Sequence, residues 1–247
     1  MRTLIRSSVC VLFASLAVVP VVQAQAPAPA PKALATTASA GLALTSGNRD
    51  TSTLNLGYEL SYDPKTRNIV KSDGLYLRGK TEGDLTTDRL GLNGRDEYKL
   101  HDRAFAFGQL QYLADQFKNI DYLVAPTGGF GYRLSDTART KLSVDAGVGG
   151  VWEKRLTDDV QKAGAVTVSE KLTHQLSASA ALSQSFAALY KTNNFDDALY
   201  AVGASLAASV TARTQLKVEV LDTYKTLVTA GIEKNDVALI VGMVFKR

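Results

Sequence analysis

The chain has 247 residues with a formal net charge of +4 and a single cysteine, Cys10. No Lys/Arg cluster marks a nucleic-acid footprint, and the small basic excess is spread along the chain. A mean hydropathy of −0.03, with no long apolar run after the N-terminus, excludes a helical membrane protein but leaves a β-barrel open, because alternating strands average to neutrality.

Arg2 and Arg6 precede the apolar run Val9 to Val22, and Val22-Gln23-Ala24 reads as a small-residue cleavage site. Residues 1–24 are therefore expected to be a secretory signal peptide. Removing them lowers the formal charge from +4 to +2 and leaves no cysteine, hence no disulfide, thiolate metal site or cysteine nucleophile. Residues 25–38 are Ala/Pro-rich, cannot build a packed core and read as an extended linker. The remainder, 39–247, is assigned to one β-barrel domain.

A first strand is placed near Ser39 to Thr45. The second, Thr51 to Tyr62, is the clearest: Leu54, Leu56, Tyr58, Leu60 and Tyr62 alternate with Thr53, Asn55, Gly57, Glu59 and Ser61. The third, Asn68 to Lys80, has no clear phase, since Lys71 and Asp73 share a side with Leu75 and Leu77. A fourth spans Arg89 to Leu100. The fifth, Ala104 to Ala114, changes phase between Phe105/Phe107 and Leu110/Tyr112, which predicts a bulge near Gly108. The sixth carries Tyr122, Val124, Pro126, Phe130, Tyr132 and Leu134 on one face, with a local break at Pro126. The seventh is Thr140 to Glu153.

Leu156 to Val168 is predicted to be a loop, followed by strands at Lys171 to Leu182, Phe186 to Thr192, Leu199 to Val210, Gln215 to Thr223 and Asp236 to Arg247. That makes about twelve strands, many joined by short turns, so the predicted fold is all-β: an antiparallel up-and-down transmembrane β-barrel. Strands of roughly ten residues fit a tilted bilayer crossing. Tyr58, Tyr62, Tyr98, Tyr122, Tyr132 and Trp152 near strand ends suit interfacial girdles.

Gly41-Leu42-Ala43-Leu44-Thr45-Ser46-Gly47-Asn48-Arg49-Asp50-Thr51 resembles the opening of the salt-induced outer-membrane protein family of Gram-negative bacteria. The segments Phe107 to Tyr112, Asp115 to Phe117, Gly129 to Leu134 and Leu142 to Gly147, then Asn235-Asp236, continue the resemblance in order. The Lys246-Arg247 end departs from the terminal aromatic usual in such barrels. The resemblance implies an outer-membrane β-barrel with no established activity or catalytic residues.

Catalysis by a His-Ser dyad on one strand needs spacing i, i+2, whereas His174 and Ser177 are three apart and His101 lies in a turn. Asp158-Asp159 and Asp196-Asp197 read as charged turns without the spacing of a calcium loop. No catalytic residue, cofactor site or metal site is assigned. Candidate lumen-facing charges, taken from the polar strand phases, are Glu59, Arg95, Glu97, Lys99, Asp145, Glu153, Lys217 and Glu219. Their mixed signs predict a plugged or narrow lumen rather than a wide pore.

The expected function is an outer-membrane barrel of structural or minor-channel type, related to envelope or salt stress on the resemblance alone. Its expected partners are outer-membrane lipid and the barrel-assembly machinery, with no nucleic acid. Two alternatives stay open: a soluble periplasmic barrel with an apolar ligand, and an outer-membrane lipid-modifying enzyme.

Overall fold

The computed structural model describes residues 33–45, 51–156, 158–228 and 234–246. The expected signal peptide and the first part of the expected linker lie outside the described residues. The strands are β1 (Leu34–Thr45), β2 (Thr51–Tyr62), β3 (Asn68–Thr81), β4 (Asp84–Lys99), β5 (Ala104–Asp115), β6 (Ile120–Asp136), β7 (Thr140–Arg155), β8 (Gln161–Gln175), β9 (Ala180–Lys191), β10 (Asn194–Ser209), β11 (Thr214–Lys225) and β12 (Asn235–Lys246). Each pairs antiparallel with its neighbour in sequence, and β1 pairs with β12 (Ala40 opposite Met243), so the sheet closes on itself. Closure pairs every strand on both sides, which a bilayer requires because hydrocarbon offers no partner to a bare sheet edge.

The register fixes the faces. Leu56, Tyr76, Leu90, Tyr112, Val124 and Trp152 belong to one face and their chain neighbours to the other. The first face carries the exposed apolar residues, from Leu56 and Val148 to Leu239 and Phe245. The second carries most of the ionic side chains. An apolar exterior over a charged interior is the membrane arrangement and the reverse of a soluble barrel. On the outer face Tyr62, Tyr98 and Tyr132 mark the end where the chain enters and leaves, here the terminal end. Trp152, Tyr190, Tyr200 and Tyr224 mark the far end, with Tyr190 and Tyr224 packed against Tyr200 at 5.7 and 6.2 Å between ring centroids. Amphipathic rings at two levels fit two bilayer interfaces.

Several boundaries differ from the sequence reading. β1 starts at Leu34, inside the predicted linker. The predicted loop 156–168 is largely strand: β8 begins at Gln161, and the chain turns at 176–179 rather than running straight from Lys171 to Leu182. Ser177 makes that turn, its Oγ accepting from the Ala180 N–H at 3.1 Å. Thr137 and Thr211 do the same in the turns before β7 and β11, accepting from Thr140 and Thr214 at 2.9 and 3.0 Å. A serine or threonine hydroxyl replaces the Gly or Asn that marks most turns.

The predicted bulge near Gly108 is absent. β4 and β5 stay in register from Arg89 opposite Asp115 to Lys99 opposite Phe105, so Phe105 and Phe107 point inward while Leu110 and Tyr112 point outward. The register shifts around β5 and β6 sit at Leu113/Asp115, Ile120/Tyr122 and Arg133/Ser135 instead. At Pro126, which lacks a donor, the β6–β7 ladder skips from Val124–Trp152 to Thr127–Gly149 without changing register. The two strands close tightly here: a Cβ on Gly149 would lie 2.1 Å from the Pro126 carbonyl oxygen and 2.8 Å from Thr127 Cα.

Backbone atoms cannot yield as a side-chain tip can, so Gly149→Val is expected to destabilise the barrel by about 3 kcal/mol, the upper part of the overpacking range. The check is the urea concentration at which the compact, heat-modifiable band is lost on SDS gels. A midpoint equal to wild type contradicts the close approach.

Candidate functional site

The lumen is the candidate site, and contacts between strands that are not neighbours define it. Side chains from such strands can meet only through the interior of a closed sheet.

Near the terminal end, Glu97 on β4 is 4 % exposed and gathers three cations. Lys71 Nζ lies 2.7 Å from Oε1, Arg95 Nε 3.1 Å from Oε1, and Arg133 of β6 donates to Oε2 at 3.2 Å. Arg95 then reaches Asp145 of β7, three places round the ring, at 2.8 Å, and Ser169 of β8 donates to the other Asp145 oxygen at 2.8 Å. The inward phenylalanines belong to this layer: the Arg95 guanidinium stands 3.8 Å from the Phe107 ring centroid, and that of Arg133 stands 4.8 Å from Phe105. A weakly hydrated guanidinium over a ring face is favourable, which gives Phe105 and Phe107 a place inside.

Near the far end, Glu153 of β7 is 1 % exposed and holds two lysines. Lys225 of β11, four places round the ring, donates to Oε1 at 2.6 Å. Lys191 of β9 lies 2.7 Å from Oε2, an ion pair whose angles fall outside hydrogen-bond geometry. Lys191 also donates to Asp197 at 2.6 Å, and Arg155 lies 3.3 Å from Glu153. Asp197, predicted to sit in a charged turn, is thus a buried strand residue; its neighbour Asp196 is exposed.

Beside these charges the interior is apolar. Leu113, Ile120, Leu123, Val151 and Leu189 pack together, at most 8 % exposed. Over this core the β5–β6 connection folds as a short 3₁₀ turn, η1 (Gln116–Lys118), held by Asp115 accepting from the Phe117 and Lys118 N–H groups at 3.2 and 3.1 Å. Lys118 is buried and pairs with Asp236 of β12, across the barrel, at 3.0 Å. Arg89 of β4 donates to Thr223 of β11, a second bond spanning the lumen. Between the two layers remains a cavity of about 280 Å³, lined from β3, β4, β5, β7, β8, β9 and β10 among others.

The eight sequence-selected charges all lie on the inner face, but in four places. Arg95, Glu97 and Asp145 form the terminal layer, and Glu153 is the hub of the far one. Lys217 lies 2.9 Å from Glu219 and 4.0 Å from the well-exposed Glu59 on a more open part of the wall. Lys99 sits at the terminal rim, 3.3 Å from Asp63 and donating to the Thr66 carbonyl at 3.2 Å. Asp63, in the turn outside the strands, is held below the usual carboxylate range: slight burial raises it, but the Lys65 N–H and the Lys99 ammonium outweigh that. Lys71, Arg133, Lys191, Lys225 and Asp197 were not selected. His174 is not beside a serine; its Nδ1 lies 2.8 Å from Thr140 Oγ1.

Removing one partner of a buried charge set leaves the others unpaired, at about 3–5 kcal/mol, whereas an exposed pair is worth about 0–1 kcal/mol. Glu153→Gln is therefore expected to lower unfolding stability by at least about 3 kcal/mol and Glu59→Gln by less than about 1 kcal/mol. Urea titration of the two variants in one detergent checks this. Equal midpoints contradict the layered interior.

The chain covers 86 % of its length in a match to a solved NanC porin, spanning 99 % of that chain, with a TM-score of 0.53 at 11 % identity. That likeness shows a common fold. A KdgM porin solved in complex with disordered oligogalacturonate matches at a TM-score of 0.47 and 8 % identity, over 85 % of this chain and 98 % of that one. The translocator domain of the autotransporter NalP from Neisseria meningitidis matches at 0.46 and 12 %, over 86 % of each chain. No curated protein matches the sequence. Residues 38–246, almost the whole described barrel, match the family described as "Protein of unknown function, DUF481", and the chain belongs to that family.

Proposed function

We propose that this protein is a non-catalytic outer-membrane barrel of minor-channel type, its lumen closed at rest by two layers of ion pairs. The observation that carries this reading is the pair Glu153–Lys225, which joins strands four places apart at 2.6 Å. A wide water-filled pore cannot coexist with a 2.6 Å contact across it. The NanC porin likeness supports the fold on which the reading is built. The apolar exterior supports insertion in lipid, by way of the barrel-assembly machinery. The finer role, under envelope or salt stress, rests on the motif resemblance described above and is tested by growth of a deletion strain at raised osmolarity.

In planar bilayers the wild type is expected to show rare, low-conductance openings. Replacing both hub partners, Glu153→Gln with Lys225→Met, removes the contact and is expected to raise open probability at least tenfold. Steady porin-like conductance of the wild type, or a double variant as silent as wild type, contradicts the proposal.

A further inference from the structure

Asp73 belongs to neither layer; the charged groups that face it are Glu59, opposite it on β2, and Lys171 on the inner face of β8, beyond ion-pair distance. Asp73 lines the cavity from β3, opposite Asn93 of β4 in the register. Asn93 donates Nδ2 to Asp73 Oδ1 at 3.1 Å, and its own Oδ1 is buried with no hydrogen-bond partner. Among the described residues no lysine, arginine or histidine nitrogen lies within 4.0 Å of the Asp73 carboxylate. The other charged groups on the cavity wall are engaged: Arg89 with Thr223, and Asp145 with Arg95 and Ser169. Leu189 of β9 and Leu199 of β10, on the opposite side of the ring, supply an apolar wall. The volume, about 280 Å³, is far above the ~10–15 Å³ that one water needs.

We propose that this cavity is a binding chamber for a small primary ammonium compound with a short aliphatic tail, its head on Asp73 and the Asn93 carbonyl and its tail against Leu189 and Leu199. The inference rests on the closed-lumen reading above. The Asp73 carboxylate is open to the lumen with no cation in contact, and an ammonium supplies a counter-charge and three donors to acceptors that have spare lone pairs. An organic anion would meet the Asp73 charge and an acceptor oxygen. A neutral alcohol would satisfy one lone pair and leave the charge uncompensated.

The test is isothermal titration of the detergent-solubilised full chain with n-butylammonium chloride, n-butanol and sodium butyrate. Butylammonium is expected to bind saturably, and the other two at least tenfold more weakly. This comparison uses the unaltered chain and needs no variant to fold. Asp73→Asn, checked for its heat-modifiable band, is expected to weaken butylammonium at least tenfold, while Asp102→Asn in an exposed terminal turn leaves it unchanged. No saturable butylammonium binding, equal binding of butyrate or butanol, or unchanged affinity in a folded Asp73→Asn overturns the inference. Binding in detergent does not require conduction. Failed binding with a conducting Glu153→Gln/Lys225→Met variant removes the chamber and keeps the channel; binding without conduction in any variant does the reverse.

Discussion

A charge inside a narrow barrel has to be paired, and this structure is arranged around meeting that requirement. Glu153 is almost wholly shielded, and the idealised cost of taking such a carboxylate out of water far exceeds the few kcal/mol by which a folded domain is stable. It is tolerated because Lys191, Lys225 and Arg155 converge on it from three strands, with Asp197 balancing the excess positive charge. Glu97 is treated alike at the other end. The far hub draws on β9 and β11, two and four places round the ring, and the terminal layer reaches β6 and β7 from β4, so the ion pairs that neutralise the interior also bridge it. Packing reinforces this at the far end, where the leucine-rich core and η1 lie beside the Glu153 hub.

Legibility in the sequence followed the contrast between faces. β2 was readable to its end residues because it has lipid on one side and polar groups on the other. β3 gave no clear phase for a physical reason: its inner face runs from Lys71 and Asp73 to Leu75 and Leu77, from the charged layer into the apolar interior. β8 was misplaced because Ala163 and Ala165 pack inside while Lys162 and Gly164 lie outside, which erases the alternation. The turn at 176–179 lacks Gly, Pro, Asn and Asp, yet Ser177 does there what Thr137 and Thr211 do. The repeated Thr-Ala-Arg-Thr at 137–140 and 211–214 was the signal for that turn chemistry.

The site was legible as a face, not as a constellation. The polar phases single out Arg95, Glu97 and Asp145 of the terminal layer but not Lys71 or Arg133, and of the far hub only Glu153, since Lys225, Asp197 and Arg155 lie beyond the predicted strand ends. Lys225 lay beyond an eleventh strand ended at Thr223, and Asp197 before a tenth begun at Leu199. The change of phase between Phe105/Phe107 and Leu110/Tyr112 reads as a bulge only if every apolar residue faces lipid, whereas a guanidinium makes an aromatic ring a suitable interior neighbour. No single strand encodes Glu153–Lys225. It depends on closure, which brings residues 72 positions apart together.

If the ion-pair layers close the barrel at rest, the cavity between them is shut off from bulk solvent. Cys10, in the expected leader, is the one cysteine of the chain, so a thiol can be placed at will. The measurement is the rate at which a bulky, charged methanethiosulfonate reagent modifies Ala201→Cys, on the cavity wall, relative to Ser179→Cys in an exposed terminal turn. A closed lumen predicts modification at position 201 at least a hundredfold slower. Equal rates would show an open lumen and contradict the account.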